Sequence, residues 1–69
     1  MLVAHGSDLT ESDLKILRLL VQGRTTVTIA RQLDLSERTV RRHVRTMGEK
    51  LGVGSTIEVV VAAVRHGLV

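Results

Sequence analysis

The 69-residue chain contains no cysteine, no proline, and no phenylalanine, tyrosine or tryptophan. Without cysteine there is neither a disulfide staple nor a thiolate metal site. Without aromatic rings, the core has to be built from Leu, Val, Ile, Ala and Met. The same lack bears on partners. Single-strand binders and most RNA modules stack bases on aromatic side chains. A peripheral membrane binder wants aromatic anchors beside its basic residues. Neither can be supplied here, which puts duplex DNA ahead of RNA and of a lipid surface. No segment reaches the roughly 18 apolar residues of a membrane span. The start, Met1-Leu2-Val3-Ala4-His5-Gly6-Ser7, lacks the basic region and long apolar run of a signal peptide. The expectation is a cytoplasmic protein.

A chain of this length makes one domain and buries only about 60% of the surface its unfolded form exposes. A dimer contact would add useful stability. Ten Lys and Arg against seven Asp and Glu give a formal net charge of +3, and Lys15 and Lys50 are the only lysines. A small basic domain points first to an acidic partner. His5, His43 and His66 lie far apart and match no metal spacing. No glycine-rich phosphate loop, nucleophile–base pair or buried carboxylate pair stands out. No cofactor, metal or catalytic residue is therefore expected, and an enzyme is set aside.

Start and stop signals divide the chain into four helical segments, so the expected fold is all-α. Thr10-Glu11-Ser12-Asp13 has the form of a capping box and opens a helix over about 11–22. Leu14, Leu17 and Val21 recur at helical spacing there, with Ile16 and Leu20 beside them. Gly23 is placed to stop it. Thr25 or Thr26 caps a short second helix, about 26–33, striped by Ile29, Ala30 and Leu33, and Asp34-Leu35 makes a tight connection. Ser36 caps a third helix, about 37–51, with Val40, Val44, Met47 and Leu51 on its buried side and Gly52 at its end. Ser55-Thr56-Ile57-Glu58 is a second capping-box sequence. It opens a fourth helix, about 56–66, closed by Gly67. The Val59-Val60-Val61 run favours strand by propensity, but the caps at both ends favour helix. His66 in its last turn suits the helix dipole. Residues 1–8 read as a linker end or an expression remnant.

Two short helices joined by a tight turn, the second basic on its outer face, describe a helix-turn-helix. The major groove, about 12 Å wide, admits one α-helix, and helix 2 can cross the backbone and brace helix 3 there. Arg38, Arg41, Arg42 and Arg45 occupy the side of helix 3 opposite its apolar stripe, and no acid lies between Arg38 and Arg45. A solvated face normally mixes charge signs. Arginine donates a planar pair of hydrogen bonds to O6 and N7 of guanine, or grips phosphate without reading sequence. Spacing does not sort the four between these roles. His43, near the same face, is either partly buried or a phosphate donor.

From Leu9 onward the chain resembles the LuxR-type helix-turn-helix domains of bacterial transcription regulators, also called GerE or NarL-type. The matching residues are Leu9-Thr10, Ile16-Leu17, Gly23, Ile29-Ala30, Leu33, Leu35-Ser36, Thr39-Val40, His43-Val44, Lys50-Leu51-Gly52-Val53, Glu58 and Gly67-Leu68. The resemblance covers residues 9–69 and implies a four-helix domain that binds duplex DNA as a dimer through its last helix. It also implies an upstream receiver or ligand-sensing domain in a longer chain. The positions after the Thr39-Val40 pair enter the groove in this family. That makes Arg41, Arg42 and Arg45, with Arg38, the base-facing candidates. Thr25, Thr26, Thr39, His43 and Lys50 are the backbone-facing candidates, with local capping the other role for Thr39.

Three positions depart from the family pattern. Thr26-Val27 stands where Asn-Lys is common, so backbone N–H groups and the Thr25 and Thr26 hydroxyls have to hold the phosphate. Gly48 replaces a large apolar residue, which marks either close packing or a looser helix end. Thr56 replaces a common arginine and removes one backbone contact or salt bridge.

With Val59, Val60 and Ala63 turned to the core, as the family pattern suggests, Ile57, Val61 and Val64 form a second apolar stripe. It serves either a symmetric dimer or packing against helix 1 and the chain start. A sigma-factor helix-turn-helix also pairs an Ile-Ala helix with a Ser-x-x-Thr-Val helix, but needs neither a fourth helix nor a dimer, so residues 55–68 favour the LuxR type. A protein-interaction module working through helix 4 is the reading from another class.

Overall fold

Each helix starts at a hydroxyl residue in extended backbone. Its side-chain oxygen accepts from the amide three residues on, supplying one of the donors that a helix start leaves open. Thr10 accepts from Asp13 N at 3.0 Å, Thr25 from Thr28 N at 3.2 Å, Ser36 from Thr39 N at 3.0 Å and Ser55 from Glu58 N at 3.2 Å. In a computed structural model describing residues 9–69, these caps open α1 (Glu11–Val21), α2 (Thr26–Leu33), α3 (Glu37–Leu51) and α4 (Thr56–Arg65). There is no strand among the described residues. The expected linker end at 1–8, with His5, lies outside them.

The expected bounds of α2 and α3 match. α1 and α4 each stop one residue short, because Gln22 and His66 are caps rather than helical residues. Thr10 forms the full reciprocal box, its own N–H donating to Asp13 Oδ2 at 3.0 Å. At α4 the Ser55 half of the box forms; the reverse bond from Ser55 N is absent among the described residues. All four helices end alike. An amide two residues past the last helical turn reaches back to the turn before it: Arg24 N to Leu19 O, Leu35 N to Ala30 O, Val53 N to Gly48 O and Leu68 N to Ala63 O, at 2.8–3.1 Å. This closure needs one left-handed residue. Asp34 takes that conformation without glycine, at φ 58°, in the α2–α3 turn; aspartate is among the few side chains that tolerate it.

α3 packs against each of the other three helices, and α1 closes the far side by contacting α2 and α4. The core is aliphatic throughout. Ile16, Leu17, Ile29, Val40, Met47 and Ala63 are fully enclosed, with Val59 nearly so. The predicted α3 stripe of Val40, Val44, Met47 and Leu51 is buried in full. On α1 the buried face runs through Asp13, Ile16, Leu17, Leu19 and Leu20, while Leu14 is half-buried and Val21 exposed. The inward phase therefore differs from the expected Leu14–Leu17–Val21 line, because a carboxylate holds one inward position. The valine run of α4 follows helical phase, with Val59 buried, Val60 half-buried and Val61 exposed. Burial of Val59 and Ala63 against the domain overrides the strand propensity of the run.

Gly48 marks close packing. A Cβ added there would stand 3.0 Å from the Val53 carbonyl oxygen and 3.5 Å from Val59 Cγ2. A large side chain at this position has to push the α3–α4 connection away. Gly48→Leu is expected to destabilise the domain by about 1–3 kcal/mol through overpacking, read as a lower urea midpoint by far-UV circular dichroism. Gly48→Ala is expected to shift it far less, since the gain in helix propensity offsets the tight contact.

Candidate nucleic-acid interface

The two faces of α3 have opposite chemistry. Val40, Val44, Met47 and Leu51 turn inward. Arg38, Arg41, Arg42 and Arg45 are all exposed and together line one shallow depression on the outer side. A wider groove runs from Thr26 past Arg41 and Arg45 to Ser55 and Thr56, where α4 begins. The predicted arginine set is thus brought together on one accessible face, fixed from behind by the core.

Glu37, the first residue of α3, organises one end of this face. Its Oε2 accepts from Arg41 Nη2 at 2.6 Å and from the Thr26 hydroxyl at 3.2 Å. One carboxylate thereby ties α2 to α3 across the turn and restrains Arg41. Arg41 is exposed, so this i,i+4 pair contributes only a few tenths of a kcal/mol to stability. Its effect is orientation rather than strength. The remaining candidates form local cap pairs. The Thr25 hydroxyl donates to the Thr28 hydroxyl at 3.0 Å, and the Ser36 hydroxyl to that of Thr39 at 2.8 Å. Thr25 therefore caps α2, and Thr26, the other candidate cap, serves the Glu37 link.

His43 and Lys50 both turn toward Asp13. The Asp13 side chain is 2% exposed, His43 Nδ1 lies 2.7 Å from its Oδ1, and Lys50 Nζ lies 3.3 Å from its Oδ2. Burial pushes the Asp13 carboxyl up. The hydrogen bonds from His43, from the Thr10 amide and from Lys50, together with the Lys50 charge, outweigh that and hold it below the ordinary carboxylate value. Lys50, expected at the DNA backbone, has its ammonium on this internal carboxylate, with its side chain 28% exposed. Sequence reading assigned Asp13 to capping alone. Its partners come from 30 and 37 residues away, and no local spacing announces them. Its place in the inward phase with Ile16, Leu17 and Leu20 was the available signal.

Residues 7–63 match the family of bacterial regulatory proteins described as the luxR family. This chain belongs to the luxR family. It is 42% identical over 59 residues to the spore germination protein GerE of Bacillus subtilis, covering 86% of this chain and 80% of that one. It is 40% identical over 55 residues to the nitrate/nitrite response regulator protein NarL of Escherichia coli. It is 34% identical over 62 residues to the response regulator UvrY of the same species. The matches cover 80% and 90% of this chain, but only 26% of NarL and 28% of UvrY. The fold is that of a solved structure of the transcription factor GerE, with a TM-score of 0.81 and 37% identity over 87% of this chain and 90% of that one. As a luxR-family member, the chain is a DNA-binding helix-turn-helix domain of a transcription regulator.

Removing Asp13 deprives α1 of its reciprocal cap and takes the buried carboxylate away from His43 and Lys50. Asp13→Ala is expected to cost about 1–3 kcal/mol; His43 and Lys50 can still reach water, which keeps the loss below that of a fully enclosed pair. Since the Asp13 carboxyl is depressed in the folded state, its contribution is present above the ordinary carboxylate value and lost as pH falls through the depressed one. Thermal melts by circular dichroism should show the wild type losing stability on acidification below about pH 4. Asp13→Ala should lose less over the same interval.

Proposed function

We propose that this domain reads a specific duplex DNA sequence, with α3 in the major groove, as the DNA-binding part of a regulator that acts as a dimer through α4. The observation that carries this reading is the four-arginine outer face of α3, set on a helix whose other face is wholly core. Arg41, Arg42 and Arg45, with Arg38, face the bases. Thr25, Thr26, Thr39 and His43 face the backbone, and Lys50 adds positive charge behind His43. The turn that carries Asp34 sets α2 across the phosphates, as helix-turn-helix docking requires.

The second apolar stripe supports the dimer. Ile57 is 76%, Val61 49% and Val64 57% exposed, in a protein whose core is otherwise enclosed. A two-fold contact along this stripe would cover it and set two α3 helices on two half-sites. NarL and UvrY are much longer than this chain, which fits a parent regulator with an upstream receiver or ligand-sensing domain, located in the cytoplasm. Neither a cofactor nor a catalytic step enters this function.

Selection of bound duplexes from a randomised library tests the reading. An enriched inverted repeat is the expected result, and failure to bind even at low salt would overturn it. Arg42→Ala is expected to weaken binding to the selected site by about 1–3 kcal/mol and to relax preference at one base position. Equal losses on selected and random DNA would move Arg42 to the backbone set. Val61→Asp should abolish self-association in sedimentation at high concentration while leaving the helical circular dichroism signal intact.

A further inference from the structure

His43 sits beside Arg42 on α3 and shares a shallow depression with Thr10, Asp13, Thr46 and Lys50 as well. Its Nδ1 is 2.7 Å from Asp13 Oδ1. An ionised carboxylate only accepts hydrogen bonds, and Asp13 is held in its ionised form. Nδ1 must therefore carry a proton. A neutral imidazole has a single N–H, so Nε2 of neutral His43 is a bare acceptor. No described residue bonds Nε2, and no buried side-chain nitrogen or oxygen is left without a partner among the described residues. Nε2 therefore reaches the surface, on a side chain 29% exposed.

We propose that Asp13 is a positioning residue which makes His43 a proton-dependent contact to the DNA backbone: neutral His43 turns a lone pair outward, and only the imidazolium donates from Nε2 to a phosphate oxygen. The inference rests on the preceding reading, in which α3 lies in the groove. Docking takes up one proton from solvent onto Nε2. Nδ1–H stays on Asp13, Nε2–H goes to the phosphate, and no other bond changes. Among the described residues, the charged groups facing His43 are Asp13 from α1 and Arg42 and Lys50 from α3; Thr10 and Thr46 are the neutral polar neighbours, and α2 and α4 add none to this depression. A phosphate oxygen arriving at Nε2 favours the imidazolium, the only form that can donate to it while Nδ1–H stays on Asp13. Binding that takes up a proton is strongest at low pH and weakens as pH rises through the histidine range, by at most about tenfold per pH unit for each proton.

The test has two parts. Long-range 1H–15N NMR of the free 69-residue chain at about pH 8.5, above the usual histidine range, reads which nitrogen holds the proton; Nδ1 is expected. Binding to a labelled random-sequence duplex of about 20 base pairs, two helical turns, is then measured at fixed ionic strength from about pH 5.5 to 8.5. Wild-type affinity should fall at least about fivefold across this range. His43→Gln, whose amide offers a donor at the Nε2 position at every pH, should flatten the profile. Asp13→Asn, whose amide can donate to Nδ1, should flatten it too and keep binding at high pH, with circular dichroism confirming the fold. A neutral tautomer protonated on Nε2 overturns the proposal, as does a flat wild-type profile. So does a slope that survives in His43→Gln, which would assign it to other groups such as His66. Absence of binding at every pH, in wild type and His43→Gln alike, overturns the groove reading and this inference with it; the NMR result separates the two failures.

Discussion

Asp13 joins the first turn of α1 to the middle and the end of α3, and the presentation of the outer face of α3 depends on that link. Apolar packing is non-directional. Val40, Val44, Met47 and Leu51 draw α3 inward, but aliphatic side chains alone set its rotation only loosely. A buried carboxylate with three donors is far more exacting, because a donor moved out of reach leaves charge unsatisfied. The Thr10 amide, His43 and Lys50 fill that role together. His43 and Lys50 lie two turns apart on one helix, so their shared partner fixes both the depth and the turn of α3 against α1. Arg42 and Arg45 inherit their direction from this arrangement.

The other end of α3 is governed by α2, which at eight residues is too short to persist alone. It survives through Ile29 and Ala30 in the core, the Thr25 cap, and the bond from Thr26 to Glu37. The left-handed Asp34 turns the chain at once, so the two helices cross with no slack between them. Glu37 then touches both α2 and Arg41. The arginine-bearing side of α3 is thus held at one end by a carboxylate on its own first turn and at the other by one contributed from α1.

Much of this architecture could be read from local chemistry. A hydroxyl residue before each helix, and glycine after three of them, fixed the boundaries to within a residue, since caps act over one turn. The α3 stripe was legible because four apolar positions and four arginines fall in opposite phases with nothing inverted between them. The phase of α1 was not, for the physical reason that Asp13 takes a core-facing place which an apolar pattern assigns to solvent. Leu14 and Val21 then look more buried than they are. The partners of Asp13 and the restraint on Arg41 depend on helices meeting in space. Gly48 was ambiguous in sequence between a loose helix end and a tight contact, and the Val53 carbonyl decides it.

The division of α3 into a core face and an exposed arginine face has a consequence for how such a domain changes over evolutionary time. Positions 38, 41, 42 and 45 are exposed and contribute little to folding, so replacing them leaves the core nearly untouched. Changes on this face can therefore be explored one side chain at a time without first acquiring compensating stability. Positions 13, 43 and 48 lack that freedom, because each is tied to another helix or connection. The frame can stay fixed while the surface it presents drifts.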